Sequence, residues 1–225
     1  VVTNYTYDAI NRLTEIEYPS DSSLDVTFTY DDNPTPGACG TSEGRLCRTV
    51  DASGTTDYKY NDLGQLIEVK EVRGALTFTT EYEYDLAGLV TKITLPSGRE
   101  VDYTRNGNGQ TTQVDTTVNS TATTVVSSLT YLPFGPVTGM SYGNGLALSA
   151  AFDQDYRMTS RSVNTVFSHS YSYDDNGNVT QEGGHSYDYD AMNRVVEEVF
   201  GMDTTEWTYD AIGNRLTETV NSTAT

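Results

Sequence analysis

Apolar and polar residues change places at every second position along much of the chain, as in Tyr58-Lys-Tyr60, Tyr82-Glu-Tyr84 and Trp207-Thr-Tyr209. A period of two belongs to β-strands, whose side chains point alternately to opposite faces. Runs such as Arg12-Leu-Thr-Glu-Ile16 and Gln65-Leu-Ile-Glu-Val69 read as partner strands. Glycine-rich breaks at Ala52-Ser-Gly54, Pro96-Ser-Gly98, Gly143-Asn-Gly145 and Gly183-Gly184 read as turns. The nearest candidate for a helix, Asp190 to Phe200, fits a hairpin better.

The strands fall into a repeat. Its unit is aromatic, any residue, aromatic, Asp, two residues, Gly or Asn, then Arg or a substitute, then an apolar residue. The first copy is Tyr5, Tyr7, Asp8, Asn11, Arg12 and Leu13. Further copies carry Tyr58, Tyr60 and Gly64; Tyr82, Tyr84, Asp85 and Gly88; and Tyr171, Tyr173, Asp174 and Gly177. Tyr187, Tyr189 and Asp190 make another, and Trp207, Tyr209, Asp210 and Gly213 close the series. Weaker copies fill the gaps. Tyr30 and Asp31 are parted from Gly44 by an insertion, and Phe152-Asp153 leads to Arg157. Tyr103 and Tyr131 keep the aromatic and lose the Asp. On this reading the second aromatic of each unit stands at 7, 30, 60, 84, 103, 131, 152, 173, 189 and 209.

The local physics follows from the unit. Asp then two residues then Gly is the pattern of a type I turn, with Asp first and Gly fourth. The carboxylate can accept a hydrogen bond from the backbone two residues on, and Gly or Asn tolerates positive φ. Each unit is thus a β-hairpin, and a second turn joins it to the next. The predicted fold class is all-β, an antiparallel meander of about twenty strands. Because twisted sheets of more than about ten strands tend to curl or split, the meander should wind as a spiral sheet, an open or partly closed shell or barrel wall. Aromatic pairs of successive units are expected to stack as ladders. Residues 1–225 read as one segment of about ten repeats, with an inserted Cys-containing loop at 34–44.

These motifs resemble the tyrosine-aspartate (YD) repeats of Rhs proteins, which occur also in the B and C components of Tc toxins and in teneurins. Tyr7-Asp-Ala-Ile-Asn-Arg-Leu13, Tyr173-Asp-Asp-Asn-Gly-Asn178 and Tyr209-Asp-Ala-Ile-Gly-Asn-Arg215 carry the likeness, which runs from Tyr5 to Leu216. The resemblance implies a scaffold: a spiral β-sheet that in the toxins encloses a C-terminal toxic domain and in teneurins forms part of an adhesion protein. It further implies that this chain is a fragment of a longer wall. The Asp-Pro-x-Gly segment that closes an Rhs core has no counterpart here, so its self-cleaving chemistry is not carried over.

Composition alters this picture in two places. There are 17 Tyr against 6 Phe and 1 Trp, and the repeat accounts for most of them. With 13 Lys and Arg against 32 Asp and Glu, the net charge is −19, which argues against nucleic acid or an anionic membrane as partner. No apolar run approaches the ~20 residues of a membrane-spanning helix.

The chemical candidates are few. Cys39 and Cys47 both lie near the second repeat, in the inserted stretch Pro34 to Cys47, and in an exported protein two nearby cysteines read as a disulfide, with free thiols the other reading. Closing so short a loop stabilises by about 2–3 kcal/mol on the chain-entropy view. Asp174 to Asn178 and Asn106 to Gln110 look superficially like calcium loops but lack the distant bidentate Glu. His169 and His185 stand in no catalytic motif and read as wall residues. No catalytic, cofactor-binding or metal residue is assigned, no cofactor is expected, and the chain is expected not to be an enzyme.

The expected function is a non-enzymatic scaffold, a section of the β-shell of a secreted or surface bacterial Rhs-like protein that encloses a C-terminal toxin or effector. The expected partner is then the remainder of its own polypeptide. The other reading is an extracellular adhesion module that binds carbohydrate or protein through the repeat surface.

Overall fold

The computed structural model describes residues 2–31, 39–133 and 135–221, so residues 34–38 of the expected insertion lie outside it. The described residues form twenty strands in a meander with no α-helix. They divide into two compact units, Val1–Val125 and Val126–Thr225.

The first unit contains β1 (Asn4–Tyr7), β2 (Leu13–Glu17), β3 (Val26–Tyr30), β4 (Leu46–Asp51), β5 (Gly54–Tyr60), β6 (Leu66–Arg73), β7 (Leu76–Tyr84), β8 (Val90–Thr94), β9 (Glu100–Arg105), β10 (Thr111–Val118) and the start of β11 (Thr121–Tyr131). From β1 to β10 each strand pairs antiparallel with the next. Between β2 and β3 lies a single 3-10 turn, Ser22–Leu24, capped by the Asp21 carboxylate. Asn119 and Ser120, both at positive φ, make the two-residue turn from β10 to β11 that suits the twist of its strands.

The second unit holds the rest of β11, then β12 (Val137–Tyr142), β13 (Ala147–Phe152), β14 (Met158–Val163), β15 (Phe167–Tyr173), β16 (Val179–Glu182), β17 (His185–Tyr189), β18 (Val195–Phe200), β19 (Asp203–Tyr209) and β20 (Arg215–Asn221). These also pair in sequence order, all antiparallel.

Register separates two faces. In the first unit Tyr58 stands opposite Val69, Val69 opposite Thr80, and Tyr82 opposite Ile93. Ile93 faces Val101, and Tyr103 faces Val114. The other face is charged: Arg48 opposes Asp57, Asp57 opposes Lys70, Lys59 opposes Glu68, and Lys92 opposes both Glu83 and Asp102. Such half-buried pairs at the sheet surface each contribute a few tenths of a kcal/mol to about 1 kcal/mol. They set register more than stability.

A conventional core is nearly missing. Among the described residues the buried apolar side chains are Cys39, Cys47, Leu148 and Val163. The tyrosine face is half-buried instead, so the repeats must be held together by something other than a second packed layer.

Candidate functional site

The repeat hairpins, the second apart, turn in the same way. At the first, the Asp8 N–H donates to the Arg12 carbonyl at 2.9 Å and the Asn11 N–H to the Asp8 carbonyl at 3.1 Å. Asn11 lies at φ 64, the left-handed slot that Gly64, Gly88, Gly177 and Gly213 fill elsewhere. The Asp8 carboxylate accepts from the Ile10 N–H at 3.0 Å, the Arg12 N–H at 2.9 Å and Arg12 Nε at 2.7 Å. Asp190 repeats this with Met192 and Arg194, and Asp153 with Asp155 and Arg157. Where Asn replaces Arg, at Asn178 and Asn214, its amide donates to the Asp carboxylate at 2.8 Å. Asp85 accepts from the Ala87 and Leu89 N–H groups, both at 2.9 Å.

These bonds favour the ionised acid. The Arg12 backbone N–H, foremost among several donors, holds Asp8 below the ordinary carboxylate range. Arg194 does so for Asp190, Asn178 for Asp174 and Asn214 for Asp210. Asp31 is pulled furthest, to about 2, by the Arg12 guanidinium and then the Gly44 N–H.

In five units the second tyrosine leaves its own hairpin. A bulge shifts the register just before it, between Lys59 and Tyr60, Glu83 and Tyr84, Ser172 and Tyr173, Asp188 and Tyr189, and Thr208 and Tyr209. Bulges bend a strand and re-aim a side chain. Here the phenol crosses to the preceding hairpin and donates to the carbonyl of the residue that opens its return strand. Tyr60 reaches Leu46 at 2.8 Å, Tyr84 reaches Leu66 at 2.6 Å, and Tyr173 reaches Met158 at 2.7 Å. Tyr189 reaches Val179 and Tyr209 reaches Val195, both at 2.7 Å. Burial raises the pKa of Tyr60, Tyr84 and Tyr189.

The residue after the turn answers in the opposite direction. The Arg12 guanidinium lies 4.4 Å from the Tyr30 ring centre and binds the Asp31 carboxylate. Arg157 lies 4.8 Å from the Tyr173 ring, and Arg194 lies 4.6 Å from that of Tyr209. Arg194 also donates to the Asp210 carbonyl at 3.1 Å. Arg45 covers Tyr60 at 5.7 Å and donates to the Gly64 carbonyl at 3.0 Å. A β-carbon at Gly64 would stand 2.1 Å from that guanidinium. A side chain there would push the guanidinium aside, and the φ of 73° already favours glycine.

Two expectations are corrected. The aromatic ladders are not ring-on-ring stacks at these positions: successive second tyrosines are two strands, or about 10 Å, apart, beyond the ~7 Å reach of ring pairing. Hydroxyl-to-carbonyl and guanidinium-to-ring contacts bridge the gap instead. Tyr103 is also misplaced by two residues. Asn106 takes the Asp slot, accepting from the Asn108 and Gln110 N–H groups, so Tyr103 is the first aromatic and Arg105 stands in the second slot. Arg105 there donates to the Val90 carbonyl, as a tyrosine would.

The first aromatics stay on their own hairpins. Tyr5 opposes Ile16, Tyr171 opposes Glu182 and Tyr187 opposes Glu198. Trp207 opposes Glu218, and its indole N–H donates to that carboxylate at 3.3 Å. Tyr7 has no earlier hairpin among the described residues and is 56% exposed. Both histidines lie on the tyrosine face: His185 stacks on Phe200 at 4.1 Å and contacts Glu198 at 2.7 Å, and His169 stands 3.9 Å from Glu182. The Asp174 carboxylate of the calcium-like segment is taken up by its own turn. Among the described residues no three His, Cys, Asp or Glu side chains converge as a metal site. Cys39 and Cys47 are joined by a disulfide, with 5.6 Å between their Cα atoms.

The arginine slot is the element that sequence reasoning left without a role. Its signal was present, since the residue recurs four positions after the Asp. A contact to the next repeat, though, leaves no local mark.

Comparison with known proteins agrees with the repeat. The RHS Repeat family matches residues 60–100 and 84–121. No match was found among curated proteins. The crystal structure of TcdB2-TccC3 shares the fold over 98% of this chain, with a TM-score of 0.76 at 15% identity. The same complex without its hypervariable C-terminal region matches over 99%, with a TM-score of 0.68 at 16% identity. The Photorhabdus luminescens Tc holotoxin pore matches over 97%, with a TM-score of 0.56 at 15% identity. This chain spans 14%, 15% and 17% of those chains in turn. The turn recurs from Asp8 to Asn214 and the tyrosine bond from Tyr60 to Tyr209, so the chain is a meandering β-sheet of one repeated hairpin, of which residues 60–121 match the RHS Repeat family.

Proposed function

We propose that the chain is a non-enzymatic section of wall in a secreted or surface Rhs-like protein of bacterial origin, and that the wall encloses a toxin or effector carried on the same polypeptide. One observation carries this reading. Cohesion comes from a bond repeated between neighbouring hairpins, while little side-chain volume goes into a core. A sheet so built can be lengthened unit by unit and still hold its neighbours. That is what an enclosing wall requires.

Limited proteolysis of the full-length polypeptide tests enclosure. A segment outside these 225 residues should resist protease while the wall is folded and be cut when the wall is opened by urea. Equal cutting in both conditions contradicts enclosure.

A second reading, surface recognition of a glycan, draws on a groove of about 300 Å³ in the second unit lined by Tyr187, Val195, Trp207, Tyr209 and Arg215. Aromatic faces beside charged groups suit a sugar ring. Saturable binding on a glycan array, lost in Trp207→Ala with unchanged melting, supports it; no binding by the intact chain contradicts it.

A further inference from the structure

The second hairpin departs from the repeat, and the departure is built with care. Asp31 is parted from Gly44 by the insertion, yet the turn closes across it. The Asp31 N–H donates to the Arg45 carbonyl at 3.1 Å, and the Gly44 N–H donates to the Asp31 carboxylate at 2.6 Å. The insertion therefore leaves the tyrosine bond to the third hairpin in place, with Tyr60 on the Leu46 carbonyl.

The end of the insertion does something no other turn among the described residues does. Residues Cys39 to Arg45 lie along the third hairpin as a strap. The Cys39 carbonyl accepts from the Tyr60 N–H at 2.8 Å. Gly40 pairs with Tyr60 as a parallel bridge, so closely that a β-carbon there would stand 2.0 Å from the Tyr60 carbonyl oxygen. The Thr41 hydroxyl donates to Asp62 at 3.3 Å, and the Ser42 hydroxyl donates to the Asp31 carbonyl. Cys39 and Cys47, at 1% and 0% exposure, are the most buried side chains described, and Ser42 follows at 4%.

Tyr60 gains from this. Its place in β5 lies beyond the pairing with β4, which ends at Arg48 and Asp57. The strap supplies the missing backbone partner. The disulfide anchors Cys39 to Cys47, the second residue of β4, so the strap is tied at both ends.

We propose that the strap Cys39–Arg45 is a redox-set clamp on the junction between the second and third repeats. Closed by the disulfide, it covers the backbone of Tyr60. Opened by a dithiol, it frees that backbone as an unpaired edge. The exchange balances: the dithiol is oxidised to its own disulfide, and Cys39 and Cys47 each gain one electron and one proton as the bond between them breaks. An unpaired strand edge is a site for pairing with another strand, so the clamp governs whether this junction is sealed.

Hydrogen exchange on the 225-residue chain tests the proposal, comparing the oxidised protein with the same protein after dithiothreitol. Because the sulfurs are buried, the double variant Cys39→Ala, Cys47→Ala provides the open state independently. The Tyr60 amide should exchange faster by on the order of tenfold, the loss of one hydrogen bond's protection. Ladder amides of β8 and β9 in the same unit should keep their rates. Unchanged exchange at Tyr60 in the double variant overturns the proposal, because the strap would then hold without its disulfide. Faster exchange throughout β8 and β9 overturns it as well, by showing a general staple rather than a local clamp.

Discussion

The hydroxyl of Tyr84 donates to the backbone carbonyl of Leu66 at 2.6 Å, tying one hairpin to the one before it. The donor is a side chain, but the acceptor is backbone, so the bond does not depend on which residue opens the return strand. Leu46, Leu66, Met158, Val179 and Val195 all serve.

Replacing Tyr84 by Phe keeps the ring and removes this bond. The expected loss is about 0.5–1.5 kcal/mol, read as a lower urea midpoint at unchanged slope. Because the bonds at Tyr84 and Tyr209 lie in different units, their Phe variants should add to within about 0.5 kcal/mol.

Arg105 tests the corrected register. Arg105→Ala should destabilise by about 1 kcal/mol through loss of the bond to Val90. Arg105→Tyr restores the aromatic of the repeat and should retain most of that stability. If Tyr behaves no better than Ala in thermal melts, Arg105 does not occupy the second aromatic slot.

Much of this was legible in the chain. The period of two, the Asp-to-Gly spacing and the tyrosine pairs lead to hairpins, turns and a meander, because all three are local. What lies between hairpins was not legible. Nothing at Arg194 says that its guanidinium will cover Tyr209, 15 residues on, and a tyrosine in a strand looks the same whether its hydroxyl meets water or a neighbouring carbonyl. The slip at Tyr103 has the same root: Asn106 can do the work of Asp in the turn, and a motif read by residue name overlooks it.

Glycine substitutions separate backbone from space. Gly64 and Gly98 have similar φ, 73° and 76°, but a β-carbon at Gly98 meets nothing within 4 Å. Gly98→Ala should cost about 1 kcal/mol for the left-handed backbone alone. Gly64→Ala should cost more, because Arg45 must also leave the Gly64 carbonyl. Equal melting shifts for the two variants contradict the contact.

Acid should weaken the first two repeats late. Asp31 is held at about 2 by Arg12 and the Gly44 N–H, against an ordinary carboxylate near 3.9. A depressed carboxylate contributes stability that is whole above its unfolded value and is lost as pH falls through its folded value. Melting midpoints should therefore drop between about pH 4 and pH 2, and Arg12→Gln should shrink the drop. A drop of the same size in that variant contradicts the role given to Arg12.

A double-mutant cycle on Arg194 and Tyr209 tests the bond between repeats most directly. Trp207, the sole tryptophan of the chain, lies two residues from Tyr209 on β19 and reports unfolding by its fluorescence. Urea unfolding of the native chain, Arg194→Ala, Tyr209→Ala and the double variant gives the coupling. A ring under a guanidinium, with its neighbouring hydrogen bonds, should yield a favourable coupling of about 0.5–2 kcal/mol. Strict additivity of the two single losses would show that neighbouring hairpins are not held by this pair.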